Sequence, residues 1–248
     1  MFENVLEKLE ALEPLISATK DDNIKALSSF LYERITHPDS YLVFLGETSC
    51  GKSSIINGFL NENILPVKAS PSTAAITEIE LSGEKKDDSY LAIYNNATAK
   101  KINKEQFLSS AENPDNSLNR LRLTRYVPKA SLEGLRIFDT PGYGSIVDEH
   151  EEVLKEFLPN SDLVAYVVNY RIGIQDEDYV FLGYLKELIR SDVEVVLVIN
   201  RCPENSNSDD RRIIEILNYA RDIFGKELRL FFVKDTPLSA GENYALPK

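Results

Sequence analysis

Cysteine is scarce: Cys50 and Cys202 are the two in 248 residues. Two is no disulfide framework, and the count fits a reduced cytosolic compartment. Histidine is as rare, and His37 and His150 stand far apart with no cysteine or carboxylate at ligand spacing, so no transition-metal site is readable. Also missing is any run of roughly 20 apolar residues long enough to cross a bilayer, and the acidic start Met1-Phe2-Glu3-Asn4 is no secretory signal. Clustered basic residues are lacking too. With a net charge of -12, the chain offers no nucleic-acid surface and no general attraction to anionic membrane. No internal repeat or low-complexity segment interrupts it, and the sequon Asn96-Ala97-Thr98 is irrelevant in a protein that is not secreted. Together these absences predict a cytoplasmic protein.

What is present suffices for one large core. With 43% hydrophobic and 9% aromatic residues, a single α/β domain with a small appendage is expected. The most informative stretch is Gly46-Glu47-Thr48-Ser49-Cys50-Gly51-Lys52-Ser53, a complete Walker A loop. It follows the apolar run Tyr41-Leu42-Val43-Phe44-Leu45 directly and precedes the amphipathic segment Ser54-Ile55-Ile56-Asn57-Gly58-Phe59-Leu60. A strand that ends in this loop and feeds a helix aims successive backbone N–H groups at a polyphosphate, with Lys52 reaching the β and γ phosphates and Ser53 holding Mg2+. The segment from Gly46 to Ser54 therefore predicts nucleoside triphosphate binding.

Around that loop the periodicities predict an alternating fold. Phe2, Val5, Leu6, Leu9, Leu12 and Ile16 share one helical face, and Ile24, Leu27, Phe30, Leu31 and Ile35 form a second stripe after the polar corner Lys20-Asp21-Asp22-Asn23. Asp22 or Asn23 is the expected cap of that second helix. Residues 61–72 read as an extended, mobile loop. Ile76 to Leu81 alternates as a half-buried strand, with Tyr90 to Tyr94 as its expected hairpin partner. A charged, weakly helical stretch from about Ala99 to Asn119 is anchored by Phe107 and Leu108. Strands are expected at Leu121–Val127, Leu135–Phe138, Leu163–Val168, Val193–Ile199 and Leu228–Val233, with helices at about 176–190 and 209–224.

Two further motifs bear on chemistry. Asp139-Thr140-Pro141-Gly142 ends a buried strand, where ligands of open α/β sheets collect. Asp139 there can reach Mg2+ through water, and the Gly142 N–H can bond the γ phosphate and sense its presence. Between the two motifs lies Pro71-Ser72-Thr73-Ala74-Ala75-Ile76-Thr77-Glu78. A threonine here can complete the Mg2+ shell and offer a backbone group near the attacking water. Thr73 is the preferred residue; Thr77 competes, although as a member of the alternating strand it reads as a solvent-facing threonine.

With these motifs in place the chain resembles the dynamin family of large GTPases, most closely its bacterial dynamin-like members. The resemblance rests on Gly46 to Ser54, on Pro71 to Leu81, on Asp139 to Gly142 and on Ser161-Asp162-Leu163-Val164-Ala165-Tyr166-Val167-Val168. It spans roughly Leu42 to Val233. The 66 residues from Thr73 to Asp139 leave room for extra strands and a helix, as in dynamin-like domains. The resemblance implies a P-loop GTPase fold with a mostly parallel central sheet extended by extra strands, plus an N-terminal helical hairpin. The implied organisation is helices over 1–37, belonging to a flanking bundle, a GTPase domain over 38–235, and an extension over 236–248 leading to an absent stalk. A fragment of a longer protein is expected, with a reduced relative as the alternative.

Departures from the family pattern are specific. The fourth nucleotide motif reads Asn200-Arg201-Cys202-Pro203, so the carboxylate that accepts from guanine is missing. Asn200 can still meet the base edge and the Arg201 stem can cover its face; Asp235 is the candidate replacement for the carboxylate, against the bland reading of a turn residue. Its loss weakens discrimination against adenine. Tyr143 follows Gly142 where small GTPases place a water-orienting Gln. Dynamins supply a Gln and a Ser from the P-loop instead, and the aligned residues are Thr48 and Ser49. Ser49 keeps the role at a charge-compensating monovalent cation, whereas Thr48 is short for positioning water. Arg171 and Arg201 are further cations near the motifs, read as solvated surface residues.

The expected activity is Mg2+-dependent hydrolysis of GTP to GDP and phosphate, with Thr48, Ser49, Lys52 and Thr73 as catalytic residues. Ser53, Thr73 and Asp139 are the expected metal residues. The resemblance further implies slow basal turnover, pairing through the nucleotide face with a second copy or a related dynamin-like subunit, and membrane contact only through regions outside this chain. A pseudo-GTPase switch is the alternative, and a P-loop kinase or ATPase fits less well because Asp139 to Gly142 and Thr73 together describe a γ-phosphate sensor; no acceptor pocket is recognisable either.

Overall fold

A computed structural model describes residues 2–20, 22–36, 39–67, 75–94, 98–128, 132–142 and 158–234. His37, Thr73, Tyr143, His150 and Asp235 lie outside these residues, as do Pro71, Ser72 and the centre of the sequon.

The N-terminal helices are α1 (Phe2–Ala18) and α2 (Asp22–Thr36). α2 begins at Asp22, and the side chains of its expected caps, Asp22 and Asn23, are not among those described. The apolar stripes are only part covered: Val5, Leu12, Ile24 and Leu31 are exposed.

The core of the fold is one sheet built from β1 (Ser40–Leu45), β2 (Thr77–Ser82), β3 (Ser89–Tyr94), β4 (Ala99–Ile102), β5 (Leu118–Tyr126), β6 (Leu135–Asp139), β7 (Leu163–Asn169), β8 (Glu194–Cys202) and β9 (Arg229–Lys234). Their order is β4-β3-β5-β2-β6-β1-β7-β8-β9. β6, β1, β7, β8 and β9 run parallel, and the antiparallel junction of β2 with β6 joins them to the added strands. This is the expected mixed α/β architecture, a mostly parallel sheet extended at one side.

Helices cover both faces. Alternate strand residues Val43, Leu45, Tyr166, Leu197 and Ile199 pack with Leu182 of α5 (Asp176–Leu188) and Ile213 of α6 (Arg211–Phe224). The opposite set, including Phe44, Ile79, Ile137 and Val167, packs with Ile56 of α3 (Lys52–Leu60) and Phe107 of α4 (Lys104–Glu112). Burial on both faces is why the central strands read as nearly continuous apolar runs.

Several expectations need correcting. β3 is not the hairpin partner of β2; it pairs with β4 and β5, while β5 lies between β3 and β2. The reason is electrostatic as well as topological. Glu78 of β2 is 1% exposed and meets Arg120 and Arg122 of β5 at 3.0 Å and Arg136 of β6 at 2.9 Å. β2 is thus buried on both faces rather than half-buried. The weakly helical stretch resolves into β4 and α4, whose capping box pairs Asn103 with Gln106 and whose Phe107 is fully buried. The first part of the expected mobile loop is pinned, because the Asn57 side chain accepts from the Ile64 and Leu65 N–H groups and donates to the Leu65 carbonyl.

The hairpin is tied to the N-terminal ends of the parallel strands. Arg34 bonds both Asp162 carboxylate oxygens and the Asp39 carbonyl, and its guanidinium lies 4.7 Å from the centre of the Tyr41 ring. Arg136 sits 5.7 Å from the same ring and bonds Asp39. The Walker loop is at the other pole, beyond the C-terminal end of β1.

Candidate functional site

The loop leaves β1 at Gly46 (φ 144), where a Cβ would stand 2.3 Å from the Val167 carbonyl oxygen of β7. It then passes through left-handed backbone at Ser49 (φ 63) and Gly51 (φ 101), the second serving as N-cap of α3 with no side-chain cap. A left-handed conformation costs little at glycine and more at serine. Ser49 carries it at the exposed tip of the loop. The first N–H groups of α3 accordingly face the concavity of the loop, the arrangement that suits an anion.

Lys52 is 6% exposed, and its ammonium donates to the Gly46 carbonyl at 2.9 Å and the Glu47 carbonyl at 3.0 Å. Ser53 donates its hydroxyl proton to Asp139 Oδ2 at 2.6 Å, bringing two of the three expected metal residues together under the helix N-terminus; the third, Thr73, lies outside the described residues. Thr140 ties its motif to β1 by donating to the Phe44 carbonyl at 2.8 Å. Gly142 lies against the loop so closely that a Cβ there would be 2.2 Å from the Thr48 nitrogen. Thr48 Oγ1 is buried with no hydrogen-bond partner. Ser54 faces solvent on the outer side of α3.

Asn200 joins from β8. It is 6% exposed, its amide donates to the Cys50 carbonyl at 2.8 Å, and its oxygen accepts from the Arg201 N–H. A Cβ on Gly51 would lie 2.2 Å from the Asn200 nitrogen, so the close approach requires glycine. Arg201 follows in left-handed backbone (φ 58) at a bulge and is exposed. The structure therefore gathers Gly46 to Ser53, Asp139, Gly142 and Asn200 into one cluster at the Walker loop.

A profile of the dynamin family matches residues 42–202. The chain belongs to the dynamin family. An uncharacterised protein in the xynA 3' region of Caldicellulosiruptor sp. (strain Rt8B.4) is 30% identical over 97% of this chain and 58% of its own length. Dynamin-like protein A of Bacillus subtilis (strain 168) is 29% identical over 81% of this chain and 17% of its own. This dynamin-family chain thus spans little more than half of the first relative and a sixth of the second. A chain of an oligomerised bacterial dynamin pair shares the fold, with a TM-score of 0.61 at 18% identity over 94% of this chain and 45% of that one.

Around the dynamin-family loop, charge is arranged unevenly. Burial raises the Glu47 carboxyl above its ordinary value, the negative charges of Asp178 and Glu177 add to this, and Lys52 opposes them. Asp178 is buried, accepting from the Tyr166 hydroxyl at 2.5 Å and from the Gln175 N–H at 2.7 Å. Among the described residues no helix is long and apolar enough to cross a membrane, and no group of three or more His, Cys, Asp or Glu residues could hold a metal ion. The Ser53–Asp139 pair supplies hydroxyl and carboxylate oxygens, hard donors that suit Mg2+ alongside phosphate.

Sequence reasoning missed one neighbour of this site and misplaced another. Asp178 carries no motif and reaches the loop only through the packing of α5. Thr77, the competitor of Thr73, is fully buried rather than solvent-facing.

Proposed function

We propose that the chain is the nucleotide-hydrolysing part of a dynamin-like GTPase, binding GTP with Mg2+ and releasing GDP and phosphate, coupled in the whole protein to assembly and membrane remodelling. The observation that carries this reading is the convergence of Lys52, Ser53, Asp139 and Gly142 on one loop, in a chain that belongs to the dynamin family. The Lys52 ammonium, held by two carbonyls of its own loop, turns outward to the β and γ phosphates when a triphosphate fills the concavity. N–H groups of the loop and of the first turn of α3 hold the phosphate oxygens. Ser53 and Asp139 would hold Mg2+, which would supply charge neutralisation to the phosphates. Thr73 and Gly142 complete the γ-phosphate side, Thr48 orients water through its partnerless hydroxyl, and Ser49 offers oxygen to a monovalent cation. Asn200 acts mainly by fixing the loop, with Arg201 and Asp235 on the base side.

The test is phosphate release from GTP and ATP by the wild-type chain and by Lys52→Ala. Expected are Mg2+-dependent release by wild type and a loss of at least about a hundredfold in the variant, the scale of removing one charge-stabilising donor. Tight GTP binding without release beyond that of the variant would instead make this a pseudo-GTPase switch, and no binding of either nucleotide would sink both readings.

A further inference from the structure

Thr77 is the first residue of β2 and the cross-strand partner of Asp139, the last residue of β6. Directly opposed residues of an antiparallel pair project from the same face, with Cβ atoms about 4.5–5.5 Å apart. The face is identified by the next pair along, Ile79 opposite Ile137, both of which pack in the layer beneath α3 with Ile56. Ser53, bonded to Asp139, reaches down from α3 into the same layer. The Thr77 side chain therefore lies on the same face of the sheet as that of Asp139, at the pole where the Walker loop ends.

That hydroxyl has no hydrogen-bond partner, and Thr77 is 0% exposed. A valine would fill the same space in a strand without the penalty of a buried, unpaired polar atom. An unsatisfied hydroxyl beside a metal-binding carboxylate is instead what a site shows when its remaining partner arrives with the ligand.

We infer that Thr77 is a positioning residue of the metal site: when Mg2+ and its waters enter, the Thr77 hydroxyl hydrogen-bonds a water of hydration shared with Asp139 and orients the site from the β2 side. The inference rests on the nucleotide-site reading above. It assigns Thr77 a role separate from that of Thr73, through water and carboxylate rather than through direct ligation. Partners that orient the ligands of a metal typically change its affinity 10- to 100-fold.

The experiment measures binding of fluorescent GDP to the full chain across a Mg2+ titration, together with melting temperature in EDTA, for wild type, Thr77→Val and Thr77→Ser. Thr77→Val is expected to melt higher than wild type without Mg2+, yet to need roughly tenfold more Mg2+ for the same gain in GDP affinity. Thr77→Ser, which keeps the hydroxyl, is expected to restore the wild-type requirement. A purely structural role would move the melt and leave the Mg2+ requirement alone, and that outcome overturns the inference. If Thr77→Val fails to fold, Thr77→Ala against Thr77→Ser isolates the hydroxyl in the same titration, and equal Mg2+ requirements overturn it. Wild-type binding of GDP that ignores Mg2+ removes the metal site itself, a failure of the underlying reading that the wild-type arm reveals separately.

Discussion

Asn200 shows how one amide serves a loop instead of a ligand. As a motif residue it reads as a contact to the base edge, but its side chain is taken up by the Cys50 carbonyl and the Arg201 N–H. Spacing identifies which strand end approaches the nucleotide; it cannot say how the side chain divides between base and loop, because that depends on the register of β7 and β8. The thiols are clearer. Burial raises the Cys50 thiol above its ordinary value, with Lys52 pulling it down and Asp139 and Glu47 adding to the rise. Burial lifts Cys202 to about 11, with Asp210 assisting and Lys234 opposing. At pH 8 a thiol near 11 is ionised to only about one part in a thousand, and the thiolate is the reactive form. Both cysteines are therefore expected to resist maleimide at pH 8 in the folded chain and to react fully in urea, counted by mass spectrometry. Rapid labelling of Cys50 under native conditions would instead support oxidative control of the loop.

β1, the Walker loop and α3 were legible because an apolar run, a glycine motif and an amphipathic segment agree on one structure. β2 was legible as a strand and illegible in its partners, since alternation suggests one wet face and adjacency suggests a hairpin. Neither cue registers that Arg120, Arg122 and Arg136 converge on Glu78 from two other strands. Burial pushes the Glu78 carboxyl up, but Arg122, Arg120 and Arg136 outweigh it and hold it below its ordinary value. A carboxyl lowered in the folded state adds stability that is present above the unfolded value, about 4.3, and is lost as pH falls through the lowered folded one. Glu78→Gln leaves three guanidinium groups short of a counter-charge, so at pH 7 it is expected to lower unfolding free energy by about 3–5 kcal/mol. It also removes the Glu78 share of acid sensitivity below about pH 4. Urea titrations at pH 7 and at acid pH check both, and a loss under about 1 kcal/mol at pH 7 would mean the arginines find other partners.

The whole molecule is polar in the literal sense, with the hairpin anchored by Arg34 at one end of the strands and the loop at the other. Apolar residues exposed on the hairpin belong to one end, and the catalytic question belongs to the other. Within the described residues the loop offers Thr48 in place of a long water-orienting side chain, while Arg171 and Arg201 are exposed to solvent. On the GTPase proposed above, a site so supplied is expected to hydrolyse slowly alone and to gain when a second surface covers it, excludes water and adds a donor. If a second copy provides that cover through the nucleotide face, turnover per molecule must rise with protein concentration and then saturate. The gain is expected on the order of a hundredfold, the lower end for one added charge-stabilising donor. Sedimentation should show pairing over the same concentration range with a GTP analogue and much less with GDP, because in the proposed site a γ phosphate would be needed to engage the Gly142 side of the loop. Turnover that stays flat while pairing occurs would place the dimer contact elsewhere. Flat turnover without pairing would instead assign the covering surface to a related dynamin-like subunit, which mixed-subunit turnover measurements would then reveal.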